Sequence, residues 1–243
     1  MIHATYLRYE LLRTFRNRRF MIFSLAFPTI LLLLIGSSNR HASLDGISFP
    51  LYFMTGMASW GAMVAMISSG ARISSERQVG WTRQLRITPL STSGYFIAKI
   101  VCGYALSLLS LAVIYLAGTS LGVHLEAQQW ATMTLLILIG LIPFAVIGIM
   151  FGHLLKPDTI GPAVGGLTAL FAVLGGAWGP ISKSATFTDI VKGIPSYWLV
   201  QAGKSSLSPS GWWPPEAWFV IAVWSVAAGG LAVFVYRRDT LRI

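Results

Sequence analysis

Charged residues are scarce in this sequence. Asp, Glu, Lys and Arg together make up 11% of the 243 residues, whereas hydrophobic residues make up 55%. Soluble domains carry about 25% charged residues, so the composition argues against a soluble globular domain. Acidic residues are fewer than basic residues, with 8 Asp and Glu against 18 Lys and Arg. The basic residues lie in blocks between apolar runs, which is typical of membrane topology, and we therefore expect no nucleic-acid partner.

Residues that carry catalytic, redox or metal chemistry are also few. The single cysteine, Cys102, lies in an apolar run, which excludes a disulfide framework within the chain. The four histidines lie in different segments without a second ligand at metal-binding spacing, so we expect no metal site. Gly203-Lys204-Ser205 resembles the end of a phosphate-binding loop, but Trp198 stands where that loop requires a glycine. We expect no cofactor and no catalytic residue in this chain.

Carboxylates are missing from the interiors of the long apolar segments. All eight Asp and Glu residues fall at segment ends or in the connections between segments. Proton- and ion-coupled carriers usually need ionisable groups at membrane depth. A proton-coupled carrier is therefore disfavoured, and a membrane-embedded enzyme or scaffold stands as the alternative to an ATP-driven transporter.

Long apolar segments dominate what is present. Six of them reach the length of about 20 residues that crossing a bilayer requires. The sequence therefore predicts an all-α polytopic membrane protein with six transmembrane helices in a single domain over residues 1–243. The predicted spans lie at about 20–39, 47–71, 97–122, 130–155, 159–181 and 215–236.

A basic amphipathic segment precedes the first predicted span. Leu7, Leu11 and Phe15 recur every four residues, and five arginines lie between residues 8 and 19. This pattern predicts a helix that lies along the membrane interface with its arginines near anionic head groups. A disordered basic tail is the alternative interpretation.

Lys and Arg residues are distributed unevenly between the two sides of the predicted membrane. Fourteen of the 18 fall on the side that holds both termini and the connection between the second and third spans. Cytoplasmic segments carry this excess of positive charge, so both termini and that connection are expected in the cytoplasm. The opposite side holds the aromatic segment 181–214, for which short helices dipping into the interface and an ordinary aromatic belt are both open.

The polar connection between the second and third spans, residues 73–91, has the features of a docking surface. We expect Ser74 or Ser75 to cap a short helix, which Gly80 interrupts and Thr88-Pro89 ends. Ser91 to Ser93 are expected to cap the third span. An apolar patch bordered by arginines is typical of protein interfaces, although a basic loop held at anionic lipid is the alternative. The patch and its border comprise Trp81, Leu85 and Ile87, with Arg77, Arg83 and Arg86.

Two spans contain candidates for a substrate path or a subunit contact. In the second span, Trp60 is accompanied by four methionines, which suit adaptable surfaces but do not share one helical face, so lipid-facing packing is favoured. These methionines are Met54, Met57, Met63 and Met66. The fifth span contains Gly161, Gly165 and Gly166, and small residues four apart let helices approach closely. A subunit interface, a flexible wall of a substrate path and general packing remain open for these glycines.

One string in the polar connection carries a family resemblance. It reads Glu76-Arg77-x-x-Gly80-Trp81-x-Arg83-Gln84-Leu85-Arg86-x-Thr88-Pro89-Leu90-Ser91, and Tyr95 and Lys99 follow it. The string resembles the first cytoplasmic loop of type-2 ATP-binding-cassette (ABC) export permeases, most of all those of the bacterial drug- and antibiotic-efflux branch. The order of the segments along the chain is similar as well.

The resemblance implies a permease in the bacterial cytoplasmic membrane that exports a drug-like, antibiotic or lipid-like amphipathic compound. ATP and Mg²⁺ would be bound by a separate cytoplasmic ATPase subunit, and a second permease copy or a paralogue would complete the transporter. The residues predicted to couple to the ATPase are Glu76, Arg77, Gly80, Trp81, Arg83, Leu85, Arg86, Pro89 and Leu90.

Two further expectations follow from the same resemblance. In relatives the second and fifth spans line the substrate route, which points to Met57, Trp60, Gly165 and Gly166 in this chain. Many relatives have an acidic residue where Arg83 stands. The cleft of the partner is therefore expected to carry acidic residues here.

Overall fold

Helices form nearly all of the regular structure in residues 2–44, 46–179, 185–208 and 210–240, which are the residues that the computed structural model describes. Two short strands, β1 (Ser43–Leu44) and β2 (Ile47–Ser48), pair antiparallel as a small hairpin between the first two long helices. The helices, in chain order, are α1 (Ile2–Arg16), α2 (Arg18–Ser38), α3 (Phe49–Ala71), α4 (Ile73–Gln78), α5 (Trp81–Arg86), α6 (Thr92–Ser120), α7 (Ala127–Gly140), α8 (Ile142–Leu154), α9 (Pro157–Gly175), α10 (Ala185–Lys192), α11 (Pro195–Leu207) and α12 (Pro215–Thr240).

Five stretches of helix within the described residues are long and apolar enough to cross a membrane. They are Phe49–Gln78, Thr92–Ser120, Ala127–Leu154, Pro157–Gly175 and Pro215–Tyr236. The apolar part of α2 that is described, Ser24–Ser38, is shorter. An all-α polytopic membrane protein is thus confirmed, whereas the number of six spans stays a prediction. The predicted end of the fifth span at residue 181 lies outside the described residues.

Helix α3 is the centre of the bundle. Within its most apolar stretch 83% of the residues are buried by the rest of the protein, compared with 17% in α12. The four methionines of α3 are at most 2% exposed, so the prediction that they face lipid is wrong. An apolar helix that other helices surround has no lipid-facing side, and its residues are therefore buried whichever face they occupy.

Glycines allow α3 and α8 to pack backbone against backbone. A Cβ at Gly70 would lie 2.4 Å from the Gly148 carbonyl carbon, and a Cβ at Gly148 would lie 2.5 Å from the Ile67 carbonyl oxygen. Gly152 makes the same kind of approach to the Gly70 carbonyl oxygen, at 2.5 Å. Small residues allow close approach of this kind between membrane helices, and here they hold α8 against the C-terminal half of α3.

The predicted fourth span consists of two helices, α7 and α8, joined at Leu141. Pro143 lies in the first turn of α8, where its missing N–H leaves no internal hydrogen bond unmade. The aromatic segment that follows α9 also forms helices: α11 packs into the bundle through Trp198, Leu199 and Ala202, all at most 5% exposed. Residues 181–184 and 209 of that segment lie outside the described residues.

One end of the bundle collects the elements that matter for function. Helix α1 packs against the start of α6, and the ring of Tyr236 near the end of α12 lies 5.4 Å from both the Phe96 and the His153 rings. We call this end, formed by α1, residues 72–91, His153 and Tyr236, the basic end. Helices α10 and α11 lie towards the opposite end, where α6 finishes.

Candidate coupling site at the basic end

Helices α4 and α5 form the polar connection, and Gly80 separates them as predicted. Gly80 has φ 72° and ψ 10°, a left-handed conformation that residues with a side chain rarely adopt. Among the described residues, and apart from the neighbouring backbone, no atom lies within 4 Å of the position that a Cβ on Gly80 would take. The glycine is therefore required by the backbone conformation and not by crowding.

Helix α4 continues almost directly from α3. The residue between them, Arg72, has helical dihedral angles of −57° and −22°, and its carbonyl accepts a hydrogen bond from the Glu76 N–H. The prediction that Ser74 or Ser75 caps α4 is wrong, because the Ser74 hydroxyl donates to the Leu155 carbonyl at 2.7 Å instead. At the far side of the connection Ser91 caps α6 as predicted, accepting from the Gly94 N–H at 3.1 Å.

Arg77 points into the protein and does not border an exposed patch, so that prediction is wrong. Its Nη1 donates to the His153 carbonyl at 2.6 Å and to the Gly152 carbonyl at 3.3 Å. These carbonyls belong to the last turn of α8. The last carbonyl groups of a helix receive no hydrogen bond from within the helix, and this end carries a partial negative charge. Arg77 therefore fastens α4 to the end of α8.

A buried cluster of charges joins three elements at the basic end. Glu76 of α4 and Lys99 of α6 are each 1% exposed, and Glu10 of α1 is 4% exposed. The Lys99 Nζ donates to Glu10 Oε1 and, at 2.5 Å, to Glu76 Oε1. The Tyr95 hydroxyl donates to Glu76 Oε2 at 2.5 Å. Burying unpaired charges costs several kcal/mol per ion, so the stability of these contacts depends on their being complete.

Arg13 supplies the second positive charge of the cluster. Its Nη1 donates to Glu76 Oε1 at 2.8 Å and lies 3.7 Å from Glu10 Oε2. Two carboxylates thus face one ammonium and one guanidinium group, which balances the formal charge among these four residues. The Arg72 Nη1 adds a further link between α3 and α1 through the Thr14 hydroxyl, at 2.8 Å.

Tyr6 of α1 lies beside the same cluster. Burial raises the pKa of its phenol above the ordinary value, and the negative charges of Glu10 and Glu76 raise this pKa further. The Tyr6 ring also packs against Tyr95, with 6.2 Å between the ring centroids. The phenol is therefore neutral at physiological pH and belongs to the packing around the charges.

A groove of about 1200 Å³ opens between α1 and the polar connection. Trp81 is 36% exposed and lines the groove, whereas Ile87, which is 89% exposed, lies outside it. The side chains of Arg83 and Arg86 lie outside the described residues, and Pro89 is exposed without lining the groove. The lining includes Tyr9, Leu12, Arg13, Arg16, Arg72, Trp81, Leu85 and Leu90.

The four predicted substrate-path residues do not meet in one place. Met57 is fully buried in α3, and Trp60 is half-buried between the rings of Phe27 and Trp178, at 5.6 and 5.3 Å. Gly165 and Gly166 are exposed on α9, and beyond the backbone of α9 itself no atom of the described residues lies within 4 Å of a Cβ built on either. The glycines therefore offer a free helix surface and do not share a cavity with Met57 or Trp60 within the described part of the chain.

The charge cluster is the part of the site that sequence reasoning missed. From the sequence, Glu10 is only one of the eight acids outside the apolar segments, and Lys99 only a residue that follows the family string. Two signals were available: Glu10 is the one acid of the N-terminal segment, and Lys99 follows Tyr95 by one helical turn. Within the described residues, His, Cys, Asp and Glu form no group that could hold a metal ion.

The long apolar helices are arranged around the central helix α3, and the polar connection lies at one end of the bundle. This arrangement is that of a multi-pass membrane protein. The ABC-2 type transporter family matches residues 4–207, and the chain belongs to this family. It is a transmembrane subunit of an ABC transporter, located in bacteria in the plasma membrane, and the family implies an ATP-binding partner subunit. The resemblance is thereby confirmed at the level of the family.

A curated relative supports the same assignment. The chain is similar to the "Putative transport permease YvfS" of Bacillus subtilis (strain 168), with 26% identity over 223 residues. The similarity covers 91% of this chain and 83% of that protein.

Proposed function

We propose that this chain is the permease subunit of an ATP-driven exporter, and that the ATPase subunit docks on residues 73–91 and the groove beside them. The observation that carries this proposal is the fusion of α4 to α3, locked by the cluster of Glu76, Lys99 and Glu10. A force applied to α4 is transmitted to the central helix of the bundle without an intervening flexible linker.

Charge and location support the ATPase as the partner. Both ends of the described chain lie at the basic end, and the excess of Lys and Arg there argues for the cytoplasmic side, where ATP is available. The groove combines an aromatic anchor, Trp81, with Arg13 and Arg16 along its edge. Such a surface suits a partner segment with apolar and acidic side chains.

The links of α4 to its neighbours define what docking would move. Arg77 holds α4 to the end of α8, the charge cluster holds it to α1 and α6, and the backbone holds it to α3. A force that the ATPase applies to Trp81 or Leu85 of α5 reaches α4, which α5 contacts. Displacement of α4 then moves α1, α3, α6 and α8 together. A tilt of α3 relative to α9 and α11 is the motion that would open a path for cargo.

The cargo of this proposed exporter is a drug-like, antibiotic or lipid-like amphipathic compound. The centre of the bundle supports this class, because the buried surface of α3 is formed by apolar side chains and hydroxyls. A second copy of the chain would complete the transporter, with the exposed face of α9 around Gly161, Gly165 and Gly166 as the contact.

Co-purification tests the docking proposal. The chain is co-expressed with its ATP-binding partner subunit, and Leu85→Asp is compared with wild type and with Ile190→Asp on α10. Leu85 lines the groove, whereas Ile190 is exposed at a distance from the basic end. We expect Leu85→Asp to lose the ATPase and Ile190→Asp to retain it, with both variants inserted in the membrane. Retention of the ATPase by both variants would refute docking at the groove.

A further inference from the structure

A small cavity lies halfway along α3, where the end of α9 and the start of α11 meet it. Its lining includes Trp60 of α3, Phe171 of α9 and Ser196 of α11. The remaining wall is apolar apart from Ser59. The cavity offers about 10 Å³, which is about the space that one water molecule or one hydroxyl group requires. Charged side chains do not occur in the described lining.

Two polar groups in this lining are buried without a hydrogen-bond partner among the described residues. They are the Nε1–H of Trp60 and the hydroxyl of Ser196, whose residue is only 2% exposed. By contrast, the hydroxyl of Ser59 in the same lining donates to the Leu199 carbonyl at 2.8 Å. A hydrogen-bond donor without an acceptor at membrane depth costs free energy, because lipid and apolar side chains offer no replacement partner.

Trp60 connects the cavity to an aromatic surface. Its ring lies edge-on to Phe27 and Trp178, and each of these two is 43% exposed. An aromatic ring stacked or edge-on at this surface would lie beside the Trp60 indole, which lines the cavity together with Ser196. The arrangement combines a wall that suits a planar ring with a donor and a hydroxyl that suit one neutral polar substituent.

We propose that the recess between Trp60 and Ser196 binds the hydroxyl or carbonyl group of an uncharged aromatic amphiphile. The Trp60 Nε1–H donates to the oxygen of that group, and the Ser196 hydroxyl donates to it or accepts from it according to its chemistry. The polar group enters the recess while the ring lies against the exposed rings of Phe27 and Trp178. The inference rests on the proposed function for the role of this ligand as cargo, whereas binding itself needs only the permease.

Elements around the recess fit an opening motion. Gly176 ends α9 in a left-handed conformation with φ 76°, and its carbonyl accepts a hydrogen bond from the Tyr52 hydroxyl at 2.7 Å. A Cβ at Gly175 would lie 2.8 Å from the Ser196 carbonyl oxygen. The wall opposite α3 is therefore a close contact between two helix ends, and a small tilt of α3 changes the width of the recess.

Binding of a matched pair of probes to the purified full-length permease in nanodiscs tests the proposal. The probes are 2-naphthol and 2-methylnaphthalene, which have nearly the same shape and differ in the hydroxyl group. Comparing variant with wild type for one probe at a time removes the difference in lipid partitioning. The variants are Trp60→Phe and Ser196→Ala, and their controls are Trp213→Phe and Ser110→Ala. The side-chain polar atoms of the controls are also buried with no partner among the residues described, but they lie outside this lining.

We expect Trp60→Phe and Ser196→Ala each to weaken the binding of 2-naphthol by roughly tenfold, because a buried polar partner is lost. Binding of 2-methylnaphthalene should stay within about twofold, and the controls should leave both probes unchanged. Equal effects on both probes, or none on 2-naphthol, would overturn the proposal and leave the recess as a site for a bound water only. Because the permease is measured alone, failure of ATPase docking does not affect this result.

Discussion

Lys99 and Glu76 meet in the interior of the basic end, with 2.5 Å between Nζ and Oε1 and each residue 1% exposed. The pair joins the start of one predicted span to the helix that extends another. Glu10 of α1 completes it from a third element. The N-terminal helix, the polar connection and α6 are therefore bound into one unit at the place where the ATPase is proposed to act.

Removing the lysine should destabilise this unit strongly. Lys99→Met leaves Glu10 and Glu76 buried without their ammonium partner, and we expect the free energy of unfolding to fall by about 3–5 kcal/mol. Thermal unfolding of the purified protein measures the change. Lys192→Met is the control, because the Lys192–Asp189 pair on α10 is largely exposed and should leave the midpoint unchanged. Similar losses in both variants would show that the buried cluster contributes no more to stability than an exposed ion pair.

Neutralising one acid should partly rescue that loss. In the double variant Lys99→Met with Glu10→Gln, Arg13 faces a single carboxylate, Glu76, at 2.8 Å. We expect the double variant to unfold at a higher temperature than Lys99→Met alone, because a charge without a partner has been removed. A double variant less stable than Lys99→Met would mean that the three side chains do not form one electrostatic network.

Gly80 and Gly122 offer a matched pair that separates coupling from stability. Both have left-handed backbones, with φ of 72° and 89°, and in the described part of the chain a Cβ on either would meet no atom within 4 Å beyond the neighbouring backbone. Alanine at either position should cost about 1 kcal/mol of stability through backbone strain. Gly80→Ala should also reduce the cargo-dependent stimulation of ATP hydrolysis in the reconstituted transporter, whereas Gly122→Ala should not. Equal stimulation in the two variants would argue against a rigid coupling element.

The packing of α3 on α8 can be tested by a single methyl group. Gly148→Ala places a Cβ 2.5 Å from the Ile67 carbonyl oxygen, so the helices must move apart. We expect a loss of about 1–3 kcal/mol in thermal unfolding. Gly229→Ala in α12 places a Cβ that meets no described atom within 4 Å outside the helix backbone. This variant should be neutral or slightly stabilising, since alanine favours helix more than glycine does. Tolerance of Gly148→Ala would contradict the close helix contact.

Much of the polar connection was predictable because its signals are local. The break at Gly80 and the cap at Ser91 depend on residues within a few positions of each other, and turn and cap chemistry acts at that range. The family string is local as well. These features survived in the structure without change.

Contacts between distant segments were not predictable. Lys99 and Glu10 are 89 positions apart, and hydropathy does not reveal which helices become neighbours. The burial of the methionines in α3 escaped for a related reason: lipid is as apolar as a protein core, so lipid-facing and core-facing residues look alike in a membrane helix. The inward direction of Arg77 depends on the end of α8, which only the fold brings near.

Cross-linking from one exposed position tests the coupling role most directly. Ile87→Cys is labelled with a photoreactive maleimide in the complex with the ATPase. The only native cysteine, Cys102, is 1% exposed and should stay unlabelled. Ile190→Cys on α10 is the control, because Ile87 and Ile190 are 89% and 63% exposed. Capture of the ATPase from residue 87 and not from residue 190 is the predicted result, whereas capture of lipid alone from residue 87 would contradict the account.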